Sequence, residues 1–300
     1  MLLRNLCMGM LRSVMRLTRI EHSAMLAVAV LAAEQLSNGL PGMTVLILSL
    51  VAPVLVSMAS FAINDYFDIK VDRLNKKRRP LVTGELKPPQ ALYISAAAFA
   101  GGIAASAAIN AYALGITLVF AALAVLYSYR LKEVLLLGNA YIALTMVIPF
   151  VFGAYVVGRS ISTAVALICV MIFASGLARE IHGTIRDYEG DVRMRNAVSL
   201  PRAVGLGPAA YGAMLLYLTA IAVSAFLFVF VAPFAGNLVF TAPILVSDAL
   251  LAYVAAAYVL RVRHMRKHYA FFERSRNVSL AAMGLALLAI LASAFLSLYI

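Results

Sequence analysis

The chain has 300 residues, of which 64% are hydrophobic and only 13% are charged, and its formal net charge at pH 7 is +12. Soluble globular domains carry about 25% charged residues. A mean hydropathy of +0.94 therefore excludes a soluble domain and predicts an all-α polytopic membrane protein. The two cysteines, Cys7 and Cys169, exclude a disulfide framework and lack metal-ligand spacing.

The chain begins with a basic, amphipathic stretch and continues as nine apolar runs. Residues 1–19 place arginines among Leu and Met, which predicts a helix on the membrane surface and not a cleavable signal peptide. Each later run is long enough for a hydrocarbon layer of about 30 Å, so we expect nine transmembrane helices forming one integral membrane domain over 1–300. The predicted spans are 20–37, 43–64, 89–109, 111–129, 136–158, 161–180, 208–232, 239–260 and 277–299.

The loops between these spans differ sharply in charge. The links after spans one, three, five and seven contain a single cation, Arg159, and the other 24 of the 25 Lys and Arg lie on the opposite side. Because positive loops stay in the cytoplasm, the N-terminus is predicted to be cytoplasmic and the C-terminus to lie outside. Topology and attraction to anionic lipid headgroups account for the +12 charge, so we expect no nucleic-acid partner.

The second span ends in an acidic motif, N-D-Y-F-D-I-K-V-D. Asn64, Asp68 and Asp72 recur every fourth residue, which keeps them on one side of a continuing helix. Asn and Asp oxygens are Mg²⁺ ligands, and this ion commonly shares its coordination sphere with substrate phosphates. Asp65 lies beside them, and Arg73 and the K-K-R-R run at 76–79 can compensate the charge. The alternative is a solvated helix end with salt-bridged acids.

A second acidic motif, R-E-I-H-G-T-I-R-D-Y-E-G-D, ends the sixth span on the same predicted side. Asp187 and Asp191 are four residues apart, and Glu180 can lie near their face two turns earlier. Two acidic helix ends predict two Mg²⁺ ions that bridge one diphosphate, with Lys and Arg neutralising the remaining charge. A prenyl diphosphate fits this site, since its apolar chain would lie among the spans and ionisation would release pyrophosphate at the cytoplasmic face.

These residues resemble the UbiA superfamily of intramembrane prenyltransferases over nearly the whole chain. N-D-Y-F-D-I-K-V-D-R-L-N with R-R-P-L-V-T-G looks like its first motif, Y-S-Y-R-L-K-E-V-L-L-L-G-N like the loop after its fourth span, and 179–191 like its second motif. The resemblance implies nine helices around a central cavity, an Mg²⁺-dependent prenyltransferase, and a prenyl diphosphate and a lipid acceptor as substrates. The ligands it implies for Mg²⁺ are Asn64, Asp68, Asp72, Asp187 and Asp191, with Glu180 as a further candidate. The substrate contacts predicted in these motifs are Asp65, Arg73, Arg79, Tyr127, Lys132 and Arg186, and Arg19 in R-I-E-H-S at the head of span one is a candidate contact for an anionic acceptor.

Within the superfamily, R-E-I and E-G-D of the second motif most resemble the archaeal branch that adds a second geranylgeranyl group to geranylgeranylglyceryl phosphate. That branch usually has Lys-Asp where this chain has Gly183 and Thr184, and Asn in place of His22. Of three alternatives, the first two stay open. An aromatic acceptor such as 4-hydroxybenzoate would indicate quinone synthesis, and a secondary transporter would place its acids near mid-bilayer. A CDP-alcohol phosphotransferase would need a D-G-x-x-A-R motif, which this sequence lacks.

Overall fold

The computed structural model describes residues 2–188 and 199–296, and regular structure in these residues is entirely helical. This confirms the all-α class. The helices are α1 Leu2–Thr18, α2 Ile20–Ser37, α3 Met43–Phe67, α4 Ile69–Leu74, α5 Pro80–Thr83, α6 Pro88–Ala107, α7 Ala111–Tyr129, α8 Leu137–Val157, α9 Thr163–Arg186, α10 Leu200–Val204, α11 Leu206–Phe230, α12 Leu238–Arg261 and α13 Tyr269–Leu296.

Nine of the helices fall on the nine predicted spans. In the described residues, eight are long and apolar enough to cross a membrane, namely α3, α6 to α9 and α11 to α13. The predicted first span, α2, is an 18-residue helix that contains Glu21 and Glu34 and is not among the eight. The last helix begins at Tyr269, eight residues before the predicted start, because Glu273, Arg274 and Arg276 separate its aromatic first turn from the apolar run. The protein is thus an integral membrane protein.

The chain forms two compact units. The first comprises Met1–Leu31, Leu40–Leu131 and Tyr155–Val157, and the second comprises Ala32–Gly39, Lys132–Ala154 and Gly158–Ile300. The first unit therefore contains the first acidic motif, and the second unit contains the described part of the second motif.

In the first unit, α3 packs against α6 and α7. Small residues allow close approach, since a Cβ atom placed on Gly102 would lie 3.0 Å from the Ala52 carbonyl oxygen of α3. Ser95 donates a hydrogen bond across the same helix pair to the Ala59 carbonyl oxygen at 3.0 Å. Small residues and short hydroxyl bonds are typical of helix packing in membranes, where lipid leaves no hydrophobic driving force between helices.

The N-terminal helix α1 is anchored to the first unit through its C-terminal end. Leu17 is fully buried in a cluster with Ala62 of α3, Leu81, Leu86 and Ala91. Met10, Leu11 and Met15 are exposed, so the described part of α1 has one packed and one open apolar face.

In the second unit, α9 packs against α11, and α12 packs against α13. Tyr217, Tyr258 and Phe272 lie in the shared core. His182 of α9 stacks on the Tyr258 ring with centroids 3.5 Å apart. Ser275 of α13 donates to the Tyr258 hydroxyl at 3.0 Å, and this contact ties α13 to α12 next to α9.

Candidate active site

The first acidic motif lies where α3 ends and the chain turns into two short helices. Asp68 caps the C-terminus of α3 and precedes α4. Lys76 adopts a positive φ of 50° after α4. Pro80 then starts α5 at a position where its missing N–H costs nothing, and Gly84 ends it in the left-handed conformation with φ 79°. These turns bring the K-K-R-R run back towards the acids.

Two buried carboxylates of this motif hold three cationic side chains. Asp65 is 2% exposed and accepts a hydrogen bond from Arg19 Nη2 at 3.0 Å and another from Arg79 Nη1 at the same oxygen. Asp72 is 1% exposed and lies 2.8 Å from Arg79 Nη1 and 3.0 Å from Lys77 Nζ. The Asp72 contacts are close charge pairs that lack hydrogen-bond geometry. Arg79 therefore joins the two carboxylates, and both buried charges are compensated.

Arg19 occupies a strained backbone position between α1 and α2. Its φ is 47°, a region that residues with a Cβ rarely adopt, and its guanidinium lies 4.5 Å from the centre of the Phe61 ring. Burial lowers the pKa of Arg19, and the Asp65 carboxylate opposes this change. The side chain remains cationic, because arginine keeps its proton in proteins.

A cavity of about 380 Å³ opens beside these groups in the first unit. Four arginines contribute to its wall, and it can therefore accept an anionic group. The lining residues are Arg16, Arg19, Glu21, His22, Asp65, Arg78, Arg79 and Pro80.

A second set of contacts fastens α1 to the turn after α5. Ser13 Oγ donates to Glu85 Oε2 at 2.7 Å, and Arg16 Nη1 donates to Glu85 Oε1 at 2.9 Å. Arg16 Nη2 also donates to the Arg78 carbonyl oxygen at 2.8 Å. Hydrogen bonds from Ser13 and then Thr83 hold the pKa of Glu85 below its ordinary value. These contacts of Ser13 and Arg16 with Glu85 form a clamp that holds Arg16 near the end of α1, just before Arg19.

The other predicted site residues of the first unit lie on three helices. Asn64 and Asp68 are partly exposed at the end of α3, and Arg73 is exposed on α4. Tyr127 is partly exposed near the end of α7. Pairing of the acids with cations agrees with the alternative of a salt-bridged helix end, but Asp65 and Asp72 are buried and not solvated.

The predicted residues of the second unit lie in two places, around the end of α9 and in the turn before α8. Glu180 Oε1 accepts a hydrogen bond from Arg179 at 3.1 Å. Arg186 binds Asp187 with two hydrogen bonds of 2.8 Å, in a fork geometry suited to carboxylates and phosphates. Lys132 is partly exposed in the turn Leu131–Glu133. Asp191 lies outside the described residues, and its predicted role stays a prediction.

The donor chemistry near Asp68 suits a hard divalent cation. Residues 2–188 and 199–296 contain no group of three or more His, Cys, Asp or Glu side chains placed to hold a metal ion. Mg²⁺ needs only one or two carboxylates, because waters and substrate phosphates complete its sphere. Asn64 and Asp68 supply amide and carboxylate oxygens at partly exposed positions, and they therefore fit such a site.

Sequence reasoning missed several residues of this arrangement. Lys77 was considered only as part of a basic run, although it contacts Asp72 directly. Glu85 and Phe61 were not predicted at all, because each contacts an arginine distant in sequence. Their spacing from Arg16 and Arg19 gives no periodic signal. The turns after α4 and α5 bring Lys77 and Glu85 to their partners, and packing of α1 against α3 brings Phe61 to Arg19.

Comparison with known proteins decides the family. The sequence model of the UbiA prenyltransferase family matches residues 23–280. The chain belongs to the UbiA prenyltransferase family. This confirms the resemblance found in the motifs, and it identifies the protein as a prenyltransferase.

Three relatives resemble the chain over almost their whole length. The digeranylgeranylglyceryl phosphate synthase of Archaeoglobus fulgidus is 36% identical over 289 residues, which cover 95% of this chain and 96% of that protein. A solved structure of digeranylgeranylglyceryl phosphate synthase superposes with a TM-score of 0.76 at 26% identity and covers 95% of this chain and 98% of its own. A UbiA homologue from Archaeoglobus fulgidus bound to GPP and Mg²⁺ has a TM-score of 0.62 at 22% identity and covers 91% of this chain and 99% of its own. The last of these supports the fold alone.

Proposed function

We propose that the protein transfers a geranylgeranyl group from geranylgeranyl diphosphate to geranylgeranylglyceryl phosphate during synthesis of an archaeal-type ether lipid. The observation that carries the proposal is the 36% identity with a digeranylgeranylglyceryl phosphate synthase along 95% of this chain. The arginine-lined cavity supports it, because both proposed substrates present phosphate groups. A single family match over 23–280 also supports one prenyltransferase domain over 1–300.

The reaction breaks the allylic C–O bond of the diphosphate, and its electron pair leaves with pyrophosphate. A new C–O bond then forms to the acceptor hydroxyl oxygen, which loses its proton. Bound Mg²⁺ would stabilise the negative charge of the departing pyrophosphate. Asn64 and Asp68 would hold one ion, and Asp187 and Asp191 a second. The sequence prediction also made Asp72 and Glu180 ligands of these ions.

Cationic side chains would neutralise the remaining negative charge of the substrate phosphates. Arg79 is held beside the motif by two carboxylates and can neutralise phosphate charge without moving far, which favours the leaving group. Lys132 and Arg186 would act in the same way, and Arg73 and Tyr127 would contact the diphosphate end of the substrate. Arg19 lines the cavity and would contact the phosphate of the acceptor.

The proposed site faces the cytoplasm. Of the 25 Lys and Arg, only Arg159 falls outside the loops of the motif-bearing side, and such loops stay inside. The N-terminus would accordingly be cytoplasmic and the C-terminus outside. The apolar chains of both substrates would reach the site from the surrounding membrane lipid.

The function is tested by offering purified protein geranylgeranyl diphosphate and Mg²⁺ with either geranylgeranylglyceryl phosphate or 4-hydroxybenzoate. We expect product mass only with the glyceryl phosphate acceptor, together with one pyrophosphate per turnover. Asp68→Ala and Asp191→Ala should lose turnover while remaining monodisperse. Prenylated 4-hydroxybenzoate as the main product would contradict the proposed acceptor, and uptake without pyrophosphate release would indicate a transporter.

A further inference from the structure

The asparagine and the three aspartates of the first motif lie on two different faces. Asp65 and Asp72 are seven residues apart, close to two full helical turns, whereas Asn64 and Asp68 are separated by four. The structure keeps this division across the cap at Asp68, since Asp65 and Asp72 are 2% and 1% exposed. Asn64 and Asp68 are partly exposed. One pair is therefore enclosed by protein, and the other reaches solvent.

Both carboxylates of the enclosed pair, Asp65 and Asp72, have cationic partners. Arg79 Nη1 contacts Oδ1 of Asp65 and Oδ2 of Asp72, and Lys77 Nζ lies 3.0 Å from the other Asp72 oxygen. Arg19 makes the second contact to Asp65. Three cations share two carboxylates, which leaves one positive charge in excess. A divalent cation at Asp72 would have to displace two of these partners or lie against their charge.

We propose that Asp65 and Asp72 are positioning residues, which hold Arg19, Lys77 and Arg79 as a preformed cradle for substrate phosphate, and that the metal face consists of Asn64 and Asp68. This assigns Asp72 a role different from the metal ligand predicted from its spacing. The inference rests on the proposed function for the identity of the phosphate.

A preformed cradle lowers the entropic cost of binding substrate phosphate. A long cationic side chain loses rotamer entropy when it binds a ligand. Carboxylates that hold the side chain beforehand remove much of this cost, which is the general benefit of preorganisation. Arg79 is 23% exposed, so its guanidinium is fixed on one side and reaches solvent on the other. Lys77 is 44% exposed, so its ammonium group likewise contacts a carboxylate on one side and reaches solvent on the other.

Two probes separate the two faces in purified, full-length protein. Mn²⁺ binding, followed by electron paramagnetic resonance, reports the metal face. Binding of inorganic pyrophosphate in excess EDTA, followed by calorimetry, reports the cradle. We expect Asp68→Asn to weaken Mn²⁺ and to spare pyrophosphate. Asp72→Asn should spare Mn²⁺ and weaken pyrophosphate about 10-fold, because Lys77 and Arg79 lose the carboxylate that restricts their rotamers before the anion binds.

A surface variant keeps the test decisive if Asp72→Asn does not fold. Lys77→Gln changes a half-exposed side chain and should also weaken pyrophosphate while sparing Mn²⁺. Asp72→Glu, which keeps the carboxylate, should restore part of the pyrophosphate affinity. Glycerol phosphate offered in a parallel titration shows whether the cradle also accepts a phosphomonoester, as an acceptor-side role requires.

The proposal is overturned if Asp72→Asn loses Mn²⁺ binding as severely as Asp68→Asn. It is also overturned if Lys77→Gln and Asp72→Asn both bind metal-free pyrophosphate as tightly as the unsubstituted protein. Neither result tests the proposed function. That proposal is contradicted separately if the unsubstituted protein forms no prenylated glyceryl phosphate.

Discussion

The close contact between α3 and α6 allows a stability prediction whose size follows from geometry. A Cβ atom at Gly102 would lie 2.8 Å from Val56 Cγ2 and 3.0 Å from the Ala52 carbonyl oxygen. The carbonyl belongs to the α3 backbone and cannot rotate away, so Gly102→Ala forces the two helices apart. Overpacking of this kind costs about 1–3 kcal/mol. Replacing a helical Gly by Ala also gains up to about 1 kcal/mol, which offsets part of this cost.

Gly115→Ala on α7 supplies the matched control, because a Cβ there meets nothing within 4 Å. It receives the helix gain alone, and the difference between the two variants isolates a packing cost of about 1–3 kcal/mol. Gly101→Ala should fall between them, since its Cβ would meet only the flexible Leu55 Cδ1 at 3.1 Å. Thermal unfolding in detergent, read as the monodisperse fraction after heating, should rank the variants in this order. A Gly102→Ala protein as stable as Gly115→Ala would refute the close-contact argument.

Three further predictions concern polar contacts. Asp248→Ala should destabilise the protein by about 1–3 kcal/mol in thermal unfolding, because Ser224 donates to this carboxylate at 2.6 Å across α11 and α12; an unchanged transition would contradict this. Tyr258→Phe should lower stability by about 0.5–1.5 kcal/mol, since its hydroxyl loses the contacts with Ser275 Oγ and the His182 carbonyl oxygen, and Ser275→Ala in the same background should add little. Because the pKa of Glu85 is lowered, its contacts with Ser13 and Arg16 of α1 should be complete above pH 4.5 and should be lost as pH falls through the lowered pKa. Pepsin cleavage within α1 should increase at that acidic pH. Glu85→Gln should remove this pH dependence.

Hydropathy and charge predicted the helical architecture well. The boundaries of α3, α6 and α7 lie within a few residues of the predicted spans, because an apolar run of fixed length is a strong local signal. The start of α13 was predicted late, since charged residues in its first turns carry no hydropathy signal although they are helical. The two compact units were not predicted, because they depend on contacts between distant parts of the chain.

The candidate site was predictable as a set of residues but not as a set of contacts. The four-residue spacing from Asn64 to Asp72 suggested one row of ligands, whereas burial separates Asp65 and Asp72 from Asn64 and Asp68. Helical spacing alone did not decide between these groupings, since Asp72 is four residues from Asp68 and seven from Asp65. Contacts with Lys77 and Arg79, which follow α4, show that Asp72 belongs with Asp65.

The left-handed backbone at Arg19 links the phosphate cradle to the helix that follows it. Its φ of 47° is stabilised by contacts of the side chain with Asp65 and Phe61, and α2 starts at the next residue. The backbone bend that precedes α2 and the arginine-lined wall of the cavity therefore share one residue. A substitution at Arg19 would change the path of the chain into α2 together with the affinity of the cavity for anions.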